Sequence, residues 1–161
     1  MKGESWKDML VSLHSFIHRM SPTRVECDAK LWRECNYDVI SVLTFSREAR
    51  WVCTEMSLQQ FSECDQAIPY RGGRKRYSAA LRLIGQALKK LEHKRYIPVV
   101  FICTDGKKGE RFTALDGFAE NFRKRHSDGL RVFEVVGYGD MHLSFLMDFA
   151  SRLGALCTTK I

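Results

Sequence analysis

From residue 78 onward the sequence alternates helix, strand, helix, strand, helix and strand. Ala79, Ala80, Leu83, Ile84, Ala87, Leu88 and Leu91 recur at helical spacing, with Ser78 near the start. Lys89 and Lys90 fall in the last turn, where cations suit the helix dipole. Val99 to Cys103 (VVFIC) is apolar throughout, the pattern of a strand buried on both faces. Leu115, Phe118, Ala119 and Phe122 place one face on a helix from Leu115 to His126, and Leu130 to Tyr138 (LRVFEVVGY) reads as a strand. Leu143, Leu146, Met147, Ala150 and Leu153 line a last helix closed by Gly154, and Leu156 to Ile161 begins a final strand. Such alternation predicts an α/β fold, a three-layer sandwich around a mostly parallel sheet.

The front of the chain has a different order. Trp6, Met9, Leu10, Leu13, Phe16, Ile17 and Met20 give one apolar face to a helix over about Ser5–Met20, stopped by Pro22. Residues 22–36 are polar and read as a loop. Tyr37 to Phe45 (YDVISVLTF) and Arg50 to Met56 (RWVCTEM) read as strands joined by the short turn Ser46-Arg47-Glu48, the second an antiparallel edge strand at about residues 50–56. Ser57 to Cys64 is a short helix with Ser57 as its cap. The chain opens with a helix where a doubly wound fold usually leads with a strand.

With 161 residues the sequence fits one domain, residues 1–161, able to bury a core without metal or disulfides. A charged share of 28% and an apolar share of 45% exclude collagen-like and disordered classes. No apolar run approaches the roughly 20 residues a membrane span needs. Net charge is +7, concentrated in Arg71-Gly72-Gly73-Arg74-Lys75-Arg76, in Lys89-Lys90 with Lys94-Arg95, and in Arg123-Lys124-Arg125. These clusters suit an acidic protein surface or nucleic acid, or are simply solvated helix ends and loops.

The six cysteines, Cys27, Cys35, Cys53, Cys64, Cys103 and Cys157, form no C-x-x-C pair. With no signal-peptide pattern at the start, they are read as reduced and the protein as intracellular, in the cytoplasm. A Cys27–Cys35 bridge is the alternative. His14 and His18 are one helical turn apart but lack the glutamate and third ligand of a zinc motif. No Ser-His-Asp set, nucleophile elbow, P-loop or dinucleotide fingerprint occurs, so no enzyme activity is expected.

Four segments resemble a von Willebrand factor type A domain over nearly the whole chain. Met1-Lys2-Gly3-Glu4 with Trp6-Lys7 looks like the stretch following that family's first strand and its D-x-S-x-S loop. Gly72-Gly73 through Tyr77-Ser78-Ala79-Ala80-Leu81 is similar to its G-G-T-x-F-x-x-A-L segment. Phe101-Ile102-Cys103-Thr104-Asp105-Gly106 resembles its fourth strand and T-D-G loop. Val136-Gly137-Tyr138-Gly139-Asp140, with Leu143 to Leu146 and Ala150 to Gly154, resembles its fifth strand and last helix.

The resemblance implies a protein-interaction module binding through loops at the C-terminal edge of the sheet. In the family a Mg²⁺ or Mn²⁺ ion is held by two serines of the first loop, a threonine of the second and an aspartate of the third. Here the D-x-S-x-S loop is absent, and matching Tyr77 to the family's aromatic puts Lys75 at the threonine position. Asp105 alone is left of the ligand set, among Arg74, Lys75, Arg76, Lys107 and Lys108. No metal or other cofactor is therefore expected, Mg²⁺ being possible only with an upstream D-x-S-x-S segment. Asp105 reads either as a vestige of a binding site at a strand end or as a loop carboxylate paired with a lysine. A lysine at position 75 would stand in for the missing cation. The expected partner-binding rim is Arg74, Lys75, Arg76, Asp105, Lys107 and Lys108, facing an acidic protein. The alternative is an anion or nucleic-acid binder.

In that family the sheet order is 3-2-1-4-5-6, and the counterpart of the first, central strand would precede Met1. Residues 37–45 and 99–103 would then flank a slot about 9–10 Å wide. The expectation is an N-terminally truncated domain that depends on a longer parent chain or on an oligomer. Taken alone it would be marginally stable or aggregation-prone.

Overall fold

The structure, a computed structural model, describes residues 3–20, 39–63, 68–70, 72–91, 98–105, 120–122, 124, 132–139 and 142–160. In chain order they form α1 (Glu4–Met20), β1 (Val39–Phe45), β2 (Ala49–Ser57), α2 (Leu58–Glu63), α3 (Tyr77–Leu91), β3 (Val99–Thr104), β4 (Val132–Tyr138), α4 (Leu143–Leu153) and β5 (Leu156–Lys160). The protein is mixed α/β.

The strands make two sheets. β1 and β2 form an antiparallel hairpin, paired from Val39↔Ser57 to Phe45↔Ala49. Its turn is closed by Ser46 N–H donating to the Glu48 carbonyl at 2.9 Å. The register slips on either side of Val42. Near this bulge Glu55 adopts φ +50° and its N–H donates to Ser41 Oγ at 2.9 Å. β3, β4 and β5 form a parallel sheet in that order, from Val99↔Val132 to Thr104↔Gly137 and from Glu134↔Leu156 to Tyr138↔Lys160.

The expected single sheet with β2 as its antiparallel edge is thus corrected: among the described residues the hairpin and the parallel strands are separate sheets. The strand at Val99–Cys103 is corrected too. Its apolar run predicts burial on both faces, yet Val99 and Phe101 are 46% and 44% exposed. Ile102 points into the core, while Phe101 makes a T-shaped contact with Phe16 from α1, ring centroids 5.7 Å apart.

The helices follow their apolar stripes. α3 and α4 send Tyr77, Leu81, Leu88, Phe145, Leu146, Phe149, Ala150 and Leu153 into a core shared with Ile102, Phe133 and Val135. Phe45 from the hairpin packs against the same core. α1 covers the alternate face: Trp6 and Leu10 pack both on Met9, Val136 and Tyr138 and on the hairpin core of Ile17, Cys53, Leu58, Phe61 and Ile68. Ser57 caps α2 reciprocally: its Oγ accepts from Gln60 N–H at 3.1 Å, and Gln60 Oε1 accepts from Ser57 N–H at 3.2 Å. Gly154 ends α4 in the left-handed region, φ +68°. Of the helix expected over residues 115–126, residues 120–122 and 124 are described and helical, with Phe122 buried against Phe133. The 22–36 loop, with Cys27, Cys35 and any bridge between them, lies outside the described residues.

Candidate functional site

The site is built where the C-terminal end of β3 meets the segment leading into α3. Gly73 takes φ +116°, a backbone conformation that side-chain-bearing residues rarely adopt. Three residues on, Arg76 N–H donates to the Ser46 carbonyl at 2.8 Å, and the Arg76 carbonyl accepts from Ala79 N–H at 3.2 Å to open α3. The entry to α3 is thereby tied to the end of β1. Between these anchors the Lys75 side chain reaches Asp105, the residue after β3, and its Nζ rests on Oδ1. Both side chains are sequestered, 15% and 6% exposed. A pair this far from water interacts more strongly than a surface pair, and each partner offsets the desolvation of the other.

Beneath the pair lies a second polar contact. The Tyr77 hydroxyl is 3.0 Å from Thr104 Oγ1, and either group can donate. The Tyr77 ring, fully buried, meets Phe45, Phe145 and Phe149 at centroid distances of 5.5, 5.5 and 4.8 Å. Burial pushes its hydroxyl up to about 12, partly offset by the hydrogen bond to Thr104, so the phenol stays protonated at neutral pH. The tyrosine thus joins the end of the hairpin, through Phe45, to the end of the parallel sheet, through Thr104.

On the neighbouring strand end, Gly139 follows β4 with φ +71°. A Cβ built there would lie 2.0 Å from Ser5 Oγ and 2.9 Å from Ser5 Cβ. The first turn of α1 therefore presses onto backbone at the same end of the sheet.

Of the residues expected to form the rim, Lys75 and Asp105 come together, with Arg74 and Arg76 exposed on either side of Lys75. Lys107 and Lys108 lie outside the described residues. Sequence reasoning missed the Tyr77–Thr104 contact, the Ser46 anchor and the Ser5–Gly139 approach. Thr104 stood beside the flagged aspartate and Tyr77 was noted only as an aromatic; Ser46 and Ser5 carry no sequence signal, because their partners are distant in the chain. His14 packs near Phe61, with ring centroids 6.4 Å apart. Cys53 is buried and Cys103 half-buried, and neither is in a disulfide.

No protein-family model matches the chain, and a search of curated proteins finds no match.

Proposed function

We propose that the chain is a metal-independent protein-interaction module of the von Willebrand factor type A kind, a three-layer α/β sandwich that binds an acidic partner through the rim around Arg74 and Arg76. The observation that carries this reading is the Lys75–Asp105 pair at the C-terminal end of β3. Open parallel sheets bind ligands at that end. A hard dication needs several oxygen donors. Here one carboxylate oxygen already meets an ammonium, and that lysine lies between Arg74 and Arg76 in the sequence. The donor set does not fit Mg²⁺ or Mn²⁺; Lys75 supplies the positive charge instead, within hydrogen-bond reach of the carboxylate. The exposed Arg74 and Arg76 beside Lys75 give the rim its positive charge, and guanidiniums meet a carboxylate-rich surface by paired hydrogen bonds. The engagement of Lys75 removes one cation from any phosphate-tracking stripe, which favours protein over nucleic acid.

The test is recovery of binding partners by the tagged chain after nuclease treatment, in Mg²⁺ and in EDTA, with the Arg74→Glu/Arg76→Glu variant alongside. Equal recovery in both buffers and loss with the variant support the reading. Recovery that needs Mg²⁺, survives both charge reversals, or disappears with nuclease contradicts it.

A further inference from the structure

We infer that His14 and His18 form a two-nitrogen chelate for a borderline transition-metal dication, Zn²⁺ or Cu²⁺, on the exposed side of α1. The two histidines are four residues apart in an unbroken helix, Glu4–Met20. That spacing puts side chains on one face with Cβ atoms about 5–6 Å apart, close enough for two imidazoles to share one ion. The structure brings them to a common place. A cavity of about 380 Å³ is lined, among the described residues, by His14, Ser15, His18 and Arg19, all exposed. At roughly 30 Å³ per water, it has room for an ion with several waters. The His14 ring is held against the buried Phe61 of α2, with the ring planes tilted by 38°. Restraining one ligand before the ion arrives lowers the ordering cost of chelation.

The ligand type selects the ion. Imidazole nitrogen suits zinc and copper, whereas Mg²⁺ and Ca²⁺ ask for oxygen. Arg19 adds no donor to the metal, since a guanidinium has no lone pair to give. Among the described residues no group of three or more His, Cys, Asp or Glu side chains comes together. The pair therefore makes an exchangeable site with open positions for water, rather than a closed structural one. The Arg19 charge opposes a bound cation. The negative end of the helix dipole favours it, and His18 lies in that last turn. The site stands apart from the rim and its metal-independent binding. Ser5 meets Gly139 at the other end of α1, about 14–20 Å along the helix from His14 and His18.

The probe is Zn²⁺ alone, added to the full chain, with the imidazole nitrogens followed by long-range proton–nitrogen NMR. His14 and His18 are expected to shift together and saturate along one curve, while His93, His126 and His142 stay in place. Mg²⁺ at the same concentrations moves none of them. His18→Gln keeps a polar side chain at an exposed position, and its amide spectrum reads whether the fold is intact. In this variant Zn²⁺ binding at His14 weakens by about tenfold or more, the scale on which loss of even a supporting partner is felt at metal sites. His14→Gln, read at His18, makes the same comparison from the other side and serves if the first variant disturbs the fold. The inference is overturned if only one of the two histidines responds, if the other three respond equally, or if Mg²⁺ acts like Zn²⁺. It is equally overturned if either histidine binds Zn²⁺ as tightly once the other is replaced.

Discussion

The Lys75 ammonium rests on the Asp105 carboxylate at the C-terminal end of β3, although 30 residues separate the two in sequence. This pair organises the rim and links the entry of α3 to the parallel sheet.

Removing one partner leaves the other charge buried. Lys75→Ala is expected to lower unfolding free energy by about 3–5 kcal/mol, as for buried ion pairs generally. Lys75→Met with Asp105→Leu should regain most of that loss, because the pair is then replaced by apolar volume. Urea unfolding of the two variants beside the wild type reads both; equal losses would mean the pairing is not what the buried carboxylate depends on.

Tyr77 sets an alkaline limit. Its hydroxyl ionises at 10.0 in the unfolded chain and at about 12 in the fold, so the fold favours the neutral form. Below pH 10 both states hold the proton and this contribution is constant. Between pH 10 and 12 the unfolded state binds fewer protons, so stability falls as pH rises, by about 3 kcal/mol over the window. Lysines also titrate there, so the measurement is the difference between wild type and Tyr77→Phe. The variant starts about 1 kcal/mol less stable from the lost Thr104 contact and falls less steeply. Parallel curves would show that Tyr77 stays outside the titration.

Gly139 tests the contact of α1 with the sheet end. Gly139→Ala combines a positive φ with a Cβ 2.0 Å from Ser5 Oγ, and should destabilise by about 1–3 kcal/mol. Ser5→Gly removes the opposing atoms, so adding it should recover part of the loss, leaving the strain of the φ angle. A double-mutant cycle by thermal melting checks this; strict additivity would deny the contact.

The α/β character and most elements were legible from sequence, because their signals are local. The stripe Ala79, Ala80, Leu83, Ile84, Ala87, Leu88 and Leu91 marks α3, though not Leu81, which the fold buries; the β-branched runs over residues 37–45 and 50–56 mark a hairpin with a short turn. Strand neighbours in a parallel sheet are set by crossovers rather than by adjacent residues. Separation into two sheets was therefore not legible in the residues, which predicted one sheet. The run Val99–Cys103 overstates burial for the same reason: apolarity reports what a strand is built to face, while exposure of Phe101 depends on which neighbours flank it. At the site, sequence flagged Lys75 and Asp105 as charges of one rim. Their closeness emerged only once Gly73, the Arg76–Ser46 bond and the end of β3 were placed together.

That Lys75 takes the place of a cation is tested most directly by thermal melting of the wild type and of Asp105→Ala across a Mg²⁺ titration to millimolar concentration, at constant ionic strength. The Lys75–Asp105 pair predicts a wild-type Tm that does not move with Mg²⁺. A Tm that rises with Mg²⁺ in the wild type and stays flat in Asp105→Ala would contradict it.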